Sequence, residues 1–335
     1  MKLGVVIPCY RQERHLARTV TALERAFEGR DWRGALVIAA SDPRSADAAS
    51  RPPLSERWTV IAPPVSAPLT PGAARMLGFS ACGGDWVLFV DADVELESAW
   101  VSRAIGAAEA AVAAGIPLAG LGGRIEEWFE DGSGGTRRGS DDMYRVGASD
   151  RDVAYLATLA FYSREALTRA GGYDARLQSE EDFELGLRVQ RLGLALRSIA
   201  PLAARHWSAP RPSFAELSRR WRTGLCFGQG QVLRLYLGRP GLGTLLRRQS
   251  LYLATLAMWA LGLASAAWAA ASRDPRPFLG WCAIPLAVLA LMSVRKRSAR
   301  LALHSLLTWS LNGLGLVVGL FRSPSRASIG AGGPA

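Results

Sequence analysis

Short apolar runs alternate with stretches of helical period along the first part of the chain. Leu3–Ile7 is a β-branched run and predicts a buried strand that ends at Pro8, where a central strand lacks an N–H. Glu13–Arg25 spaces Leu16, Val20 and Leu23 as one helix face. Ala35–Ala40 and Trp58–Ile61 are further strand candidates, separated by the polar loop Ser41–Ser50. After the proline-rich Pro63–Pro71 comes a short helix, Gly72–Ala81, and then Trp86–Val90. That last run is too short for a typical helix and rich in Val and Phe, as a buried parallel strand requires. The alternation predicts an α/β fold with a doubly wound, mostly parallel sheet flanked by helices. Ala195–Ile199 is the last strand candidate, and Glu126–Asp152, rich in Gly, Ser and both charges without a period, is expected as a mobile loop, either a lid or plain disorder.

The pattern changes towards the C-terminus. Leu251–Ala271 and Leu301–Phe321 are runs of 21 residues, and Phe278–Val294 is one of 17 with Pro285 inside it. Such lengths suit bilayer spans, and arginines bound each run, so two to three transmembrane helices are expected; a buried helical hairpin is the soluble alternative. Phe214–Tyr236 interleaves Arg219, Arg220, Arg222 and Arg234 with Leu, Trp and Phe. That mixture predicts an interfacial helix, with a basic solvated helix as the alternative. The expected organisation is therefore 1–208 an α/β domain, 209–249 basic linker, 250–322 transmembrane and 323–335 a disordered tail.

Charge sharpens this division. From Ala209 onward sixteen basic residues face two acidic ones, Glu216 and Asp274, a balance of +14; with +11 over the whole chain, residues 1–208 carry about −3. Basicity concentrated in the most apolar part points to anionic lipid head groups and not to nucleic acid. Cys9, Cys82, Cys226 and Cys282 are scattered, with neither metal nor disulfide spacing, as in a reducing compartment. Met1–Tyr10 lacks a signal-peptide apolar segment.

In an open α/β sheet, ligands bind at the C-terminal strand ends. Acids or aromatics stand at each: Tyr10 and Glu13 after the first strand, Asp42 and Asp47 after the second, Asp91 and Asp93 after Trp86–Val90. Asp91 and Asp93 sit at i and i+2, so on extended backbone both point one way and suit a hard divalent cation, Mg2+ or Mn2+. The bland alternative is that Asp93, Glu95 and Glu97 decorate a helix start.

These residues resemble the family 2 glycosyltransferases, which have the GT-A fold. Four blocks occur in order: Val5-Val6-Ile7-Pro8-Cys9-Tyr10 with Glu13; Asp42, Ser45 and Asp47; Ala74-Arg75-Met76, Gly84-Asp85 and Asp91-Ala92-Asp93; and Gly171-Gly172-Tyr173-Asp174 with Glu181-Asp182 and Leu185-Gly186-Leu187-Arg188. Arg11 and Met76 depart from the family's usual asparagines, and Leu217 stands where processive relatives carry Gln before Arg220-Trp221, which argues against processive polymerisation.

The resemblance implies that Pro8, Tyr10, Glu13, Asp42, Arg75 and Asp91 meet the donor nucleotide, a nucleotide-diphosphate sugar. Asp93 is expected as the direct metal ligand, with Asp91 on the ribose or a metal-bound water; His206 is a further candidate ligand or an ordinary surface histidine. Arg75 would add fixed positive charge at the diphosphate, or simply pair with an acid. Asp182 is expected as general base, with Glu181 orienting the acceptor or that base; Ser179-Glu180-Glu181-Asp182 also fits a capping box. The expected protein is a bacterial, multi-pass inner-membrane enzyme with a cytoplasmic catalytic domain. It would invert at the anomeric centre and act on a lipid-linked or cell-envelope glycan acceptor. Two rivals are a haloacid dehalogenase-type phosphoryl transferase, for which neither Lys2 nor Lys296 is well placed, and an inactive membrane scaffold of the same fold.

Overall fold

The structure, a computed structural model, describes residues 1–10, 12–39, 54–63, 69–130, 135–208 and 214–322. The chain divides into two compact units, Met1–Pro210 and Arg211–Pro324.

The first unit runs β1 (Leu3–Cys9), α1 (Glu13–Ala26), β2 (Trp32–Ile38), β3 (Trp58–Ile61), α2 (Pro71–Cys82), β4 (Trp86–Val90), β5 (Val94–Leu96), α3 (Ser98–Ala113), β6 (Leu118–Gly122), β7 (Ile125–Glu130), β8 (Thr136–Ser140), β9 (Arg151–Asp152), β10 (Leu159–Ser163), α4 (Arg164–Arg169), α5 (Glu181–Arg191), β11 (Ala195–Ser198) and β12 (Ala204–Ser208). An eight-stranded sheet has the order β3-β2-β1-β4-β10-β6-β11-β9, and a four-stranded one β5-β12-β7-β8. The half β3-β2-β1-β4 is parallel. β10 lies antiparallel to both β4 and β6, so the sheet is mixed. Strand alternation feeds two cores: Val5 and Ile7 join Leu16 and Leu23 of α1, and Val6 joins Phe79 of α2 and Leu185 of α5.

β1 continues through Pro8 instead of ending there. The Cys9 carbonyl accepts from Ala39 N–H at 2.8 Å, so residue 9 faces β2 and Pro8 faces the β4 side. Pairing with β4 stops at Val6, so the missing proline N–H costs no ladder bond. The stretch 126–152 is another correction, because it contains β7, β8 and β9. Two of its ladders are long-range, since β7 pairs in parallel with β12 over Ile125–Phe129 and β9 pairs with β11, while β8 pairs antiparallel with its neighbour β7. No local period announces strands that acquire their hydrogen bonds this way.

In the second unit, the single helix expected over Phe214–Tyr236 is two: α6 (Phe214–Arg222) and α7 (Gly228–Leu235). They part near Gly224, whose φ of 77° only glycine adopts readily. α8 (Leu242–Arg248) precedes α9 (Ser250–Ser272), α10 (Arg276–Lys296) and α11 (Ala299–Phe321). The last three, of 23, 21 and 23 residues, are long and apolar enough to cross a membrane. α7 lies on α11 at backbone contact. A Cβ on Gly230 would stand 2.0 Å from the Leu316 carbonyl oxygen, and one on Gly319 2.0 Å from that of Phe227. Small residues permit such approach where helices pack without a hydrophobic drive.

Candidate active site

Val90 ends β4, and Asp91–Asp93 then turn rather than continue as a strand. Val94 N–H bonds the Asp91 carbonyl at 3.2 Å, and Asp91 N–H bonds that of Thr158 at 3.1 Å. The two carboxylates therefore take different partners. Asp91 turns to Arg75, and Asp93 turns to Gln12 and His206. Asp93 is buried; its Oδ2 accepts from Gln12 Nε2 at 2.6 Å. Its Oδ1 lies 3.4 Å from His206 Nε2 without hydrogen-bond alignment. Among the described residues neither Oδ1 nor His206 Nδ1, both buried, has a hydrogen-bond partner.

His206 reaches this position through the second sheet. β12 pairs antiparallel with β5, His206 opposite Val94, and Trp207 N–H bonds the Asp93 carbonyl at 2.8 Å. A strand absent from the sequence-based expectation thus sets the imidazole on the Asp turn. A buried, unsatisfied carboxylate oxygen beside an imidazole suits Mg2+ or Mn2+, which take other ligands from water and phosphate. Among the described residues no three His, Cys, Asp or Glu side chains converge as a complete metal cage. Two protein donors with the remaining positions taken by water and substrate oxygens are consistent with that.

Arg75 is the centre of the other half. Thr70 caps α2, accepting from Ala73 N–H at 3.1 Å, and Pro71 occupies its first turn. From this fixed start Arg75, 5% exposed, reaches Glu181 at 2.5 Å, Asp91 at 3.0 Å and Asp182 at 3.6 Å. The Tyr173 ring lies beneath its guanidinium at 5.2 Å. Burial pushes the Asp182 carboxyl well above its usual range; Arg75 opposes this, while Glu181, Asp91 and Glu180 add repulsion. Burial likewise raises Asp91 against the pull of Arg75, and the charge of Asp93 adds to the rise. Burial works against the Arg75 charge, but Asp182, Asp91 and Glu181 outweigh it and hold the guanidinium ionised.

Asp182 is in the first turn of α5, whose cap is Glu180 at φ 67°, with no side-chain cap bond. The capping-box arrangement is therefore absent. Gly171 and Gly172, at φ 80° and 67°, turn the chain before Tyr173, whose N–H meets Met76 Sδ at 3.3 Å. Arg188 locks this turn to α5, bonding the Ala170 carbonyl and both oxygens of Glu184.

Pro8 and Tyr10 lie at the C-terminal end of β1, where Tyr10 packs beside Val37, Ala39 and Ala74. Glu13 opens α1. Asp42, with Ser45 and Asp47, lies outside the described residues, as does Arg11. Sequence reasoning missed Gln12, which no local signal marks, and Tyr144, whose hydroxyl bonds that of Thr158. Burial raises the Tyr144 phenol, and Asp91 and Asp182 contribute to the rise. A dehalogenase-type reading is not favoured, because Asp91 meets an arginine and Lys2 sits beside Asp85, before β4, at the opposite strand end.

Removing Arg75 leaves buried carboxylates without their counter-charge. Arg75→Ala should destabilise the protein by about 3–5 kcal/mol at neutral pH. Asp182 and Asp91 already titrate high, so the folded variant takes up protons readily and its deficit should shrink as pH falls. Thermal unfolding in detergent at a series of pH values checks both statements.

Residues 4–167 match Glycosyl transferase family 2. The mannosyltransferase PcManGT from Pyrobaculum calidifontis, in complex with GDP-Man and Mn2+, is similar over 95% of this chain and 87% of its own, at 17% identity and a TM-score of 0.59. S. aureus TarS 1–349 is similar at 15% identity and a TM-score of 0.46, over 70% of this chain; the chain spans 64% of that structure's length. Its complex with UDP-GlcNAc is similar at 14% identity and a TM-score of 0.49, covering 89% of this chain and 93% of that one. No curated protein sequence matches. The mixed sheet with its flanking helices is a GT-A-like fold, and over residues 4–167 the chain is a family 2 glycosyl transferase domain.

Proposed function

We propose that the chain is an inverting, divalent-metal-dependent glycosyltransferase. It moves a sugar from a nucleotide-diphosphate sugar to a hydroxyl or phosphate of a lipid-linked or cell-envelope glycan acceptor. The observation that carries this is the pairing, at one sheet edge, of an unsatisfied Asp93 oxygen and His206 with the Arg75–Asp182 cluster. A donor complex of similar fold, with GDP-Man and Mn2+ bound, supports the donor class.

Asp93 and His206, with Asp91 close by, would hold Mg2+ or Mn2+. Such a cation, when bound, neutralises charge on the departing diphosphate. The chain's own groups do the rest. Gln12 fixes one Asp93 oxygen, leaving the other for ligation. Pro8, Tyr10, Glu13 and Asp42 belong to the nucleoside side, and Arg75 brings its charge to the donor side through Asp91. Asp182, deprotonated, takes the proton from the acceptor hydroxyl. Its raised carboxyl makes it a stronger base than an exposed aspartate, and Arg75 stabilises the charged form it needs. Glu181 holds Arg75 and so orients Asp182. Attack from the face opposite the diphosphate inverts the anomeric centre.

We place the chain in the bacterial cytoplasmic membrane, and charge supports its orientation there. Arg239, Arg247 and Arg248 precede α9; Arg295 and Lys296 end α10, Arg297 follows it and Arg300 lies in the first turn of α11. Positive charge at both ends of the α9–α10 hairpin favours keeping both on the cytoplasmic side, with the catalytic domain there too and arginines on anionic lipids.

Asp93→Asn should remove the Mn2+-dependent part of nucleoside diphosphate binding, measured by titration calorimetry; unchanged metal-dependent affinity in a folded variant would remove Asp93 as a ligand. Asp182→Asn should lower turnover by about 100-fold or more with donor affinity retained. In the wild type, turnover should fall on the acid side as Asp182 takes up a proton, and Asp182→Asn should abolish that limb; an equal loss in donor affinity would exclude the base role. For topology, an impermeant thiol reagent on intact cells should label Asp274→Cys and spare Ser298→Cys, each in a cysteine-free background. Labelling at position 298 would overturn the orientation.

A further inference from the structure

α11 matches α9 and α10 in length and apolarity, but its neighbours set it apart from them. α9 and α10 pack together as a hairpin. The Trp281 indole N–H donates to the Met258 carbonyl at 2.8 Å, and a Cβ on Gly262 would run into the Trp281 ring. No residue of α10 is buried, and in α9 only Thr255 and Gly262 are. This pair is apolar nearly all round, as a hairpin surrounded by lipid must be. α11 differs, with eight buried residues between Ala302 and Gly319.

Length decides how far α11 can reach. A Cβ on Gly313 would stand 3.1 Å from the Tyr252 carbonyl oxygen and 3.0 Å from Leu256, in the first two turns of α9. Ser310 accepts the Trp259 indole N–H at 2.8 Å. Beyond Gly313 only eight residues remain to Phe321, about 12 Å of helix. α9 runs twenty residues beyond Tyr252, to Ser272, about 30 Å. Even upright beside α9, α11 would stop about 18 Å short of the face at which α9 ends.

α6 and α7 accompany α11 and exclude the upright pose on charge. The Phe214 and His304 rings lie 5.5 Å apart, the Cys226 carbonyl abuts Gly315, and that of Phe227 abuts Gly319. Arg234 Nη1 donates to the Phe321 carbonyl at 3.3 Å. α6 and α7 thus run beside α11 in the same direction over about 25 Å. Arg219, paired with Glu216 at 2.6 Å, Arg220 and Arg222 fall within that length. An upright α11 would carry them into the hydrocarbon, which strongly disfavours charge. On its open side α11 shows Leu303, Leu307, Leu314, Val317 and Phe321, all exposed. Their spacings of four, seven, three and four place them on one helix face. A continuous apolar stripe, with arginines on the accompanying helices, is the pattern of a helix lying in a membrane surface.

We infer that α11 does not cross the membrane. With α6 and α7 it lies in the membrane plane, on the side where α9 begins and α10 ends. Its partner is the boundary between head groups and acyl chains of that leaflet, into which the stripe from Leu303 to Phe321 dips. α9 and α10 are then the two complete spans of the three candidates, and position 323 stays on the side of Ser298. This goes beyond the glycosyltransferase reading and does not depend on it.

The test uses the full chain with single cysteines in a cysteine-free background. In cells, Ser323→Cys should behave towards an impermeant thiol reagent as Ser298→Cys does, and opposite to Asp274→Cys. The relation holds whichever side faces out. An inverted hairpin would therefore overturn the orientation proposed above and leave this inference standing. Position 323 responding with position 274 would overturn the inference. Depth is measured separately, with nitroxides on Leu303→Cys, Leu314→Cys, Phe321→Cys and Leu263→Cys in liposomes of phosphatidylcholine and phosphatidylglycerol. Relative collision rates with oxygen and a nickel chelate report how deep each lies. Positions 303, 314 and 321 should share one shallow depth, about 5–10 Å into the boundary, with position 263 of α9 deeper. A spanning α11 would instead separate positions 303 and 321 by about 27 Å along the membrane normal, and that gradient would sink the proposal.

Discussion

One buried guanidinium holds the active edge of this domain together. Arg75 ties α2, the end of β4 and the first turn of α5, because Asp91, Glu181 and Asp182 all converge on it. One positive charge cannot balance three carboxylates in a buried site, and Asp93 stands nearby as a fourth. The surplus has two outlets, protons and cations. The high titration of Asp182 expresses the first. The open oxygen of Asp93 beside His206 provides for the second. Such an arrangement is a poor device for stability, since desolvation offsets much of the attraction. Its value lies in holding charged groups ready in a fixed geometry.

That geometry depends on two sheets meeting at the Asp turn. The parallel half of the large sheet brings the ends of β1 and β4 side by side, and the small sheet supplies β12 and with it His206. The Gly171-Gly172 turn, packed on Met76 and clamped by Arg188, brings Tyr173 beneath Arg75 and α5 into place. Met76 therefore has a packing role where the family pattern has an asparagine. The second unit follows different physics. Its three long helices are largely apolar outside, and α7 meets α11 across glycines rather than across a large apolar core.

Whatever depends on neighbours along the chain was legible in the sequence. The spacing of Leu16, Val20 and Leu23 yields α1, the Trp86–Val90 run yields β4, and the three apolar runs yield α9, α10 and α11, because period and length are local properties. The motif residues Arg75, Asp91, Asp93, Glu181 and Asp182 could be picked out as chemically interesting for the same reason. Whatever depends on distant partners was not legible. Pro8 stays in β1 because β4 has ceased to pair there, and β7, β9 and β12 take ladders to strands remote in sequence. Asp91 and Asp93 part company because residues 91–93 turn, so the shared direction of an extended i, i+2 pair does not apply. Gln12 carries no signal of its own until α1 places it on Asp93. Residue type and period settled which groups were available; only tertiary packing, which sets distance and burial, decided which carboxylate meets Arg75 and which oxygen stays open.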